Sequence, residues 1–439
     1  MSAKPSTNAD LAINGGTPVR TAPLPWELPG AHWIGQEEEE LVTKVVRAQS
    51  PFRYYGADPQ HMVDSLESEW AARLKRRHAL AVNCGTQALH ICLAAMGVGP
   101  GDEVLVPGYM WVSCLSAVVR LGGIPRLVDI DDTFCICPKD LQAKLNDRSK
   151  AILYVNMSGA PGRIDQVRKI ANARGVYLLE DCAQAAGASL NGTPSGGFGD
   201  MAIFSFQQNK NMTSGEGGLI VCDDEHLYKR AFAVHDLGYA RTAAGRLDPT
   251  DEAYQLWGVG ARMSELSGAM ALAQLRKLDR ITGAMRTAKW QIRDRLAALP
   301  GIEMRTILDP AGDSGPFLLM LFPDSATADR VVAAVQAEGV KGPEGSLACV
   351  TMKQWGLHWY FNVPSLVHKR AISPDGFPWS HPANAFHEEI SYARGTLPVC
   401  DDYHDRGALL AIASCLTDKD VDDIATAFEK VAAVLMPGR

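Results

Sequence analysis

The residues with the greatest chemical reach in this chain sit in four short runs. The run FSFQQNKNMTSGEGG puts Ser205 at a strand end and Lys210 five positions later, ahead of a loop with Gly215, Gly217 and Gly218. A lysine amine placed there can condense with an aldehyde. Once displaced by an amine substrate it becomes a general base for an α-proton, provided that desolvation lowers its pKa towards neutrality. The bland alternative is a surface lysine, where most lysines belong. Upstream, VYLLEDCAQAAGA ends an apolar strand on Glu180-Asp181, with Gln184 just beyond. A carboxylate at that point either holds a pyridinium nitrogen protonated, making the ring an electron sink, or caps a helix.

The other two runs are weaker alone. Asn83-Cys84-Gly85-Thr86 follows a strand and opens a helix, so its backbone N–H groups and the Thr86 hydroxyl can receive a phosphate at the helix N-terminus. An ordinary turn with Thr86 as N-cap reads equally well. Trp111 lies just past EVLVPGYM, where a sheet strand delivers it either to stack on a flat cofactor or to pack in the core.

Elements that position these runs are legible. From Ala79 to Asp200, short β-rich segments (ALAVN, EVLVP, IPRLVDI, KAILYVN, VYLLED) alternate with helical patterns such as TQALHICLAAMG and DQVRKIANARG. Strands that are nearly all apolar predict a mostly parallel sheet covered on both faces, with ligands at its loop-bearing edge. Before it, residues up to about Gly30 read as an extended arm. A helix follows from about Gln36 to Ala48, favoured by the acidic cluster Glu37 to Glu40 in its first turn. After LIVCDD comes a less regular stretch to about Gly260. A long helix then runs from an N-cap at Ser264 to about Ala298, long enough to bridge two domains. In the remainder, IEMRTI and FLLMLF read as strands, with helices around Ala326 to Glu338 and Lys419 to Leu435. The expected organisation is an arm over 1–35, a large domain over 36–290 and a small α+β domain over 291–439, within the two or three units that 439 residues allow.

Composition narrows the function classes. Hydrophobic residues are 46% and charged ones 21%, near globular averages, which excludes a disordered, collagen-like or coiled-coil chain. The net charge of −7, without a basic run, argues against nucleic acid. Ten scattered cysteines read as reduced core thiols. Only Cys135 and Cys137 are close, too little for a metal site, so none is expected. The polar start MSAKPSTNAD lacks a signal-peptide core and no apolar stretch approaches the ~18 to 20 residues of a membrane helix, so a cytoplasmic protein is expected.

Taken in order, NCGTQALH, VPGYMWVS, EDCAQAAGA and GDMAIFSFQQNKNMTSGEGG resemble the sugar and cyclitol aminotransferases of the DegT/StrS family, with 29 residues between carboxylate and lysine. The resemblance is clear over about residues 10 to 290 and looser beyond. It implies an α/β fold-type I enzyme dependent on pyridoxal 5'-phosphate (PLP). Lys210 would bind PLP covalently as a Schiff base, Asp181 would pair with the pyridinium nitrogen, Gln184 would contact the ring-hydroxyl side and Trp111 would stack on the ring. Gly85, Thr86 and Ser205 would hold the phosphate. It implies a homodimer with active sites at the interface, moving an amino group from L-glutamine or L-glutamate to a keto sugar or keto-cyclitol in aminosugar or aminocyclitol antibiotic biosynthesis. LAINGGTPVRTAPLP and FRYYG look most like the glutamine:keto-cyclitol branch. The same scaffold also allows dehydration, elimination, cyclisation or oxidation; a non-catalytic PLP-binding regulator is the reading from another class.

Two positions depart from the family pattern: Asn156 in YVNMSGAPGRID, where members commonly have His, and Gly260 in GVGARMSEL, where members commonly have Asn reaching the phosphate of the neighbouring subunit. Arg262 is a candidate substitute for that contact. On the substrate side, Arg53, Tyr54 and Tyr55 either line the entrance or pack the arm. The aromatic run Trp355 to Phe361 reads as a lid, a dimer surface or satellite core. His235 falls in a loop resembling the family's flexible segment near the active site.

Overall fold

A computed structural model describes residues 7–436; the first six residues of the polar N-terminal run and the last three of the chain lie outside the described residues. After helices α1 (Gln36–Arg47) and α2 (Met62–Leu74), the chain alternates β1 (His78–Val82), α3 (Gly85–Ala95), β2 (Glu103–Pro107), α4 (Ser113–Arg120) and β3 (Ile124–Val128). It continues with α5 (Pro138–Lys144), β4 (Ser149–Val155), α6 (Ile164–Arg174) and β5 (Tyr177–Asp181). A short hairpin, β6 (Ser189–Leu190) and β7 (Thr193–Pro194), precedes β8 (Met201–Ser205) and β9 (Gly218–Cys222).

The seven long strands form one sheet in the order β1-β9-β8-β5-β4-β2-β3, and β9 is the strand that runs against the rest. Strands such as β2 and β8 are buried along their whole length, as a sheet covered on both faces requires. Because the parallel strands share a direction, their C-terminal ends gather at one edge, where ligands of such sheets bind.

The stretch expected to be irregular holds α7 (Glu225–His235), capped by Asp224, which accepts the Leu227 N–H at 2.9 Å. A hairpin, β10 (Ala240–Arg241) and β11 (Leu247–Asp248), follows. Then α8 (Glu265–Ala297) runs for 33 residues with Ser264 as its N-cap. Beyond it, β12 (Glu303–Met304), β13 (Phe317–Leu321), β14 (Cys349–Thr351) and β15 (Gly407–Ala411) form an antiparallel sheet in the order β12-β13-β15-β14. Around it lie α9 (Ser325–Ala337), α10 (Pro364–Val367), α11 (Pro398–Arg406) and α12 (Asp418–Leu435). The strand expected over IEMRTI shrinks to two residues: the Arg305 N–H still donates to Leu319 O at 3.2 Å, but the Thr306 N–H leaves the sheet for Asp132 O at 3.0 Å.

Two further pieces of chain travel far in space. The N-terminal arm inserts Leu11 and Leu24 into the core between α8, α9, α12 and the small sheet. Residues 359–400, late in sequence, pack on the β2–β3 side of the large sheet: the Tyr392 hydroxyl donates to Pro125 O at 2.7 Å and Asn384 Nδ2 to Gly122 O at 2.9 Å. Among the described residues, no helix is long and apolar enough to cross a membrane and no cluster of three His, Cys, Asp or Glu is placed to hold a metal.

Candidate active site

The C-terminal ends of β4, β5 and β8 open into a cavity of about 440 Å³, closed by the first turns of α3 and α4 and by residues from the C-terminal part of the chain. Gly85, Thr86, Trp111, Asp181, Gln184, Ser205 and Lys210 all line it. The folding of local sequence explains the aim of each.

On β5, alternation of side chains sends Glu180 and Asp181 to opposite faces. Glu180 is consumed by structure: its carboxylate accepts N–H groups from Gly196, Phe198 and Gly199 at 2.9, 2.6 and 2.6 Å. Asp181 is buried and faces the cavity. Its Oδ1 accepts the Ala183 N–H at 2.9 Å and its Oδ2 lies 3.3 Å from the Cys114 thiol. Burial pushes the Asp181 carboxyl above the usual range, opposed by those two donors and the positive charge of Lys210. A buried carboxylate of this kind gains most from a cationic partner in the cavity.

Lys210 follows β8 on a loop fixed by its own backbone. Its carbonyl accepts the Gly30 N–H at 3.1 Å, its N–H donates to Gln207 O at 3.0 Å, and the neighbouring Asn211 amide donates to Ala186 O at 2.9 Å. Desolvation lowers the pKa of the amine, while the charges of Asp181 and Glu216 push it up. Only the neutral amine is a nucleophile or base, so activity must rise with pH through this group. Neutralising Glu216 removes one upward push. Glu216→Gln is therefore expected to move the acid limb of the kcat profile, where Lys210 acts as the free amine, to lower pH; an unmoved or higher limb would show that Glu216 does not act on Lys210.

At the first turn of α3 the helix cap is Cys84, whose Sγ accepts the Gln87 N–H at 3.4 Å. Thr86 therefore stands inside the helix and not at its cap. Its hydroxyl is free to meet Ser113 Oγ at 2.8 Å, and the first N–H groups of the turn have no intrahelical partner. Glycine is required on both sides of this cradle. A Cβ on Gly85 would stand 2.8 Å from Ser205 Cβ, and one on Gly218 would stand 2.7 Å from the Cys84 carbonyl carbon.

Gln184 is held by the Ser158 N–H, which donates to its Oε1 at 2.9 Å; Ser158 has φ of 55°, a left-handed backbone. Trp111 remains 45% exposed, with its ring 4.9 Å from that of His358. The aromatic run divides its labour: Trp355 and His358 stack at 4.6 Å and line the cavity, whereas Trp359 and Tyr360 are fully buried, Trp359 stacking on Tyr109 at 4.3 Å. Trp359 and Tyr360 thus belong to the main core and not to a satellite.

Several expected site residues stand elsewhere. Arg53, Tyr54 and Tyr55 do not line this cavity. Arg53 is buried and donates to Glu67 Oε2 at 2.8 Å and Ala81 O at 3.4 Å. The Tyr54 hydroxyl donates to His235 Nε2 at 3.0 Å, His235 Nδ1 donates to Phe232 O at 2.5 Å, and Tyr55 packs edge-on against Phe52. Burial lowers the His235 pKa to about 3, so this imidazole is neutral. The packing alternative therefore describes Arg53 within this subunit. Arg53→Met removes the cation from the largely buried Glu67 carboxylate, leaving it the Ala81 N–H at 2.6 Å, at an expected cost of about 3 kcal/mol. A lower urea midpoint with unchanged KM for both substrates is the expected result; full stability with a raised KM would restore the entrance role.

Asn156 is buried outside the cavity, donating to Glu180 Oε2 at 3.3 Å and contacting Cys182 Sγ at 3.1 Å. Gly260 has a positive φ of 66° and open space where a side chain would stand. Within the subunit, Arg262 Nη1 donates to Asp236 Oδ1 at 2.5 Å, and Asp236 also binds Arg241 at 2.6 Å. Sequence reasoning missed Ser113 and Cys114. Their signal was their place on the first turn of the helix that begins two residues after Trp111.

A family model described as the DegT/DnrJ/EryC1/StrS aminotransferase family matches residues 34–344. The chain is 32% identical to L-glutamine:2-deoxy-scyllo-inosose aminotransferase of Streptoalloteichus tenebrarius over 438 residues, 96% of this chain and 97% of that one. It is 35% identical to GDP-perosamine synthase of Vibrio cholerae over 239 residues, 54% of this chain and 63% of that relative, less than two thirds of its length. Among solved structures, 3-amino-5-hydroxybenzoic acid synthase superposes with a TM-score of 0.74 at 25% identity, covering 94% of this chain and 98% of that one. DesI, solved in the presence of its TDP-sugar product, superposes with a TM-score of 0.73 at 26% identity, covering 98% and 97%. The fold is the fold-type I architecture of PLP-dependent transferases.

Proposed function

This chain belongs to the DegT/DnrJ/EryC1/StrS aminotransferase family of PLP-dependent enzymes, and on that premise we propose that it moves an amino group from L-glutamine or L-glutamate to a keto-cyclitol or keto sugar. The observation that carries this reading is the convergence of Lys210, Asp181 and the first turn of α3 on one cavity. PLP presents a phosphate, a pyridine nitrogen and an aldehyde. The cavity offers a helix N-terminus with hydroxyls from Thr86, Ser113 and Ser205, a buried carboxylate and a primary amine, which is the donor set those three groups need.

Lys210 Nζ is the group that would hold PLP covalently, as a Schiff base. When bound, PLP supplies the electron sink that makes the donor's α-hydrogen acidic. Asp181 takes donors from the Ala183 N–H and the Cys114 thiol, which oppose the upward push of burial, and as a carboxylate it would favour a protonated ring nitrogen. Desolvation favours the neutral form of the Lys210 amine, the form that can take the α-proton from the donor and return one on the acceptor side. Trp111 and Gln184 orient the ring, while the α3 turn with Thr86 and Ser205 anchors the phosphate. Much of the acceleration comes from such fixed placement.

We further propose a homodimer. The segment around β10 and β11 exposes Leu237, Leu247, Val259 and Trp257, the last at 95%, a concentration of apolar surface that isolated subunits rarely leave open. Trp257→Glu is expected to shift the protein from dimer to monomer in light scattering. A variant that stays dimeric would move the interface elsewhere. The ten free cysteines suit a reducing, cytoplasmic setting.

The direct test of the reaction supplies L-glutamine or L-glutamate with keto-cyclitol and keto-sugar acceptors. One 2-oxo acid released per amine gained by the acceptor is the expected balance. Loss of water or of a substituent from the acceptor, with no 2-oxo acid formed, would replace transamination by a dehydration or elimination.

A further inference from the structure

We propose that Cys114 is a positioning residue for Asp181: its thiol donates to Oδ2 and holds the carboxylate as the acceptor that faces the cavity. The inference rests on the reading of Asp181 given above and adds a residue to it. Sγ lies 3.3 Å from Oδ2, and both side chains are buried, so water does not compete for the contact. Oδ1 is already taken by the Ala183 N–H at 2.9 Å. The carboxylate is thus gripped on both oxygens, with one lone pair on Oδ2 left for a donor inside the cavity.

The thiol is itself fixed. The Cys114 N–H donates to Trp111 O at 3.0 Å, closing a turn that includes Trp111, a wall of the cavity, and Ser113, which meets Thr86 at 2.8 Å. One turn therefore sets three sides of the site. Burial pushes the Cys114 thiol well above its ordinary pKa, so it is protonated and acts as a donor, not as a second charge. Each donor lowers the appetite of a carboxylate for a proton. With the thiol removed, Asp181 competes better for the proton that a bound pyridine ring should keep.

The test compares two near-isosteric replacements in the PLP-loaded enzyme. Cys114→Val keeps the volume and deletes the donor; Cys114→Ser keeps a donor. A lost hydrogen bond to a charged group predicts a fall in kcat of about tenfold for Cys114→Val, with donor KM nearly unchanged, and near-native kcat for Cys114→Ser. A weaker Kd for PLP in titration of the apoenzyme should accompany the valine variant only. The infrared S–H band that disappears in Cys114→Val should also shift when Asp181 is replaced by Asn. A valine variant as active as the parent, or valine and serine variants equally impaired, would overturn the proposal. If instead Asp181→Asn itself leaves PLP binding and turnover intact, the failure lies in the reading of Asp181.

Discussion

Lys210→Ala lowers kcat by about 10³-fold or more while leaving the fold intact. The expected size follows from the work assigned to one amine. A positioned proton-transfer group contributes about 10²–10⁴-fold, and this same group also provides the covalent attachment of the cofactor. The fold should survive because the loop is held by backbone contacts of Lys210 and by Asn211, none of which needs the ammonium. Truncation also removes the cation beside buried Asp181, so the variant should unfold cooperatively at a somewhat lower temperature than the parent. The checks are steady-state kinetics, thermal unfolding and recovery of activity by small exogenous amines. Turnover within tenfold of the parent would remove Lys210 from the chemistry.

Asp181→Asn is expected to cost on the order of 10²–10³ in kcat, the usual size for deleting one preorganised electrostatic contact at a reacting centre. Asparagine matches the carboxylate in shape and can keep the Ala183 N–H on its oxygen, so the loss reports charge and not packing. Because the parent carboxyl sits in a buried site that raises its pKa, some stability is spent to keep it there ionised. The variant should be as stable as the parent or more so. Reduced activity together with reduced stability would point to a structural role, and unchanged activity would remove the ion pair from the account.

Much of the architecture was legible because its signals are local. The nearly all-apolar strands β2, β4 and β5 call for helices on both faces, and Ser264 ahead of a long amphipathic run marks the start of α8. The seven expected cofactor-side positions share one cavity because each sits at a strand end, in the loop that follows one, or in a first helical turn, places that topology brings to one sheet edge.

What sequence could not reveal depends on long-range partners. Arg53 invites an anion-binding role until Glu67 is seen beside it, and Asn156 looks like a cofactor contact until its side chain is found on Glu180 and Cys182. The roles of Trp355 and His358 were hidden for a similar reason. They enter the cavity from a segment almost 150 residues after Lys210, and half of that aromatic run is ordinary core. The helix α7 did carry a local signal, an Asp224 cap with Leu227, Ala231 and Val234 at i, i+4 and i+7, but in only 11 residues set within a polar stretch.

The central claim is that Lys210 carries the cofactor and passes the donor's proton. The absorption spectrum of the purified, PLP-loaded protein, recorded before and after L-glutamine or L-glutamate and beside Lys210→Ala, tests it most directly. The account predicts a visible cofactor band that is lost with the donor in the parent as one 2-oxo acid appears, and in the variant a different spectrum whose visible band persists after the donor is added, with no 2-oxo acid released. A band that responds to the donor equally in both proteins, or a parent protein whose band no amino donor alters, would contradict it.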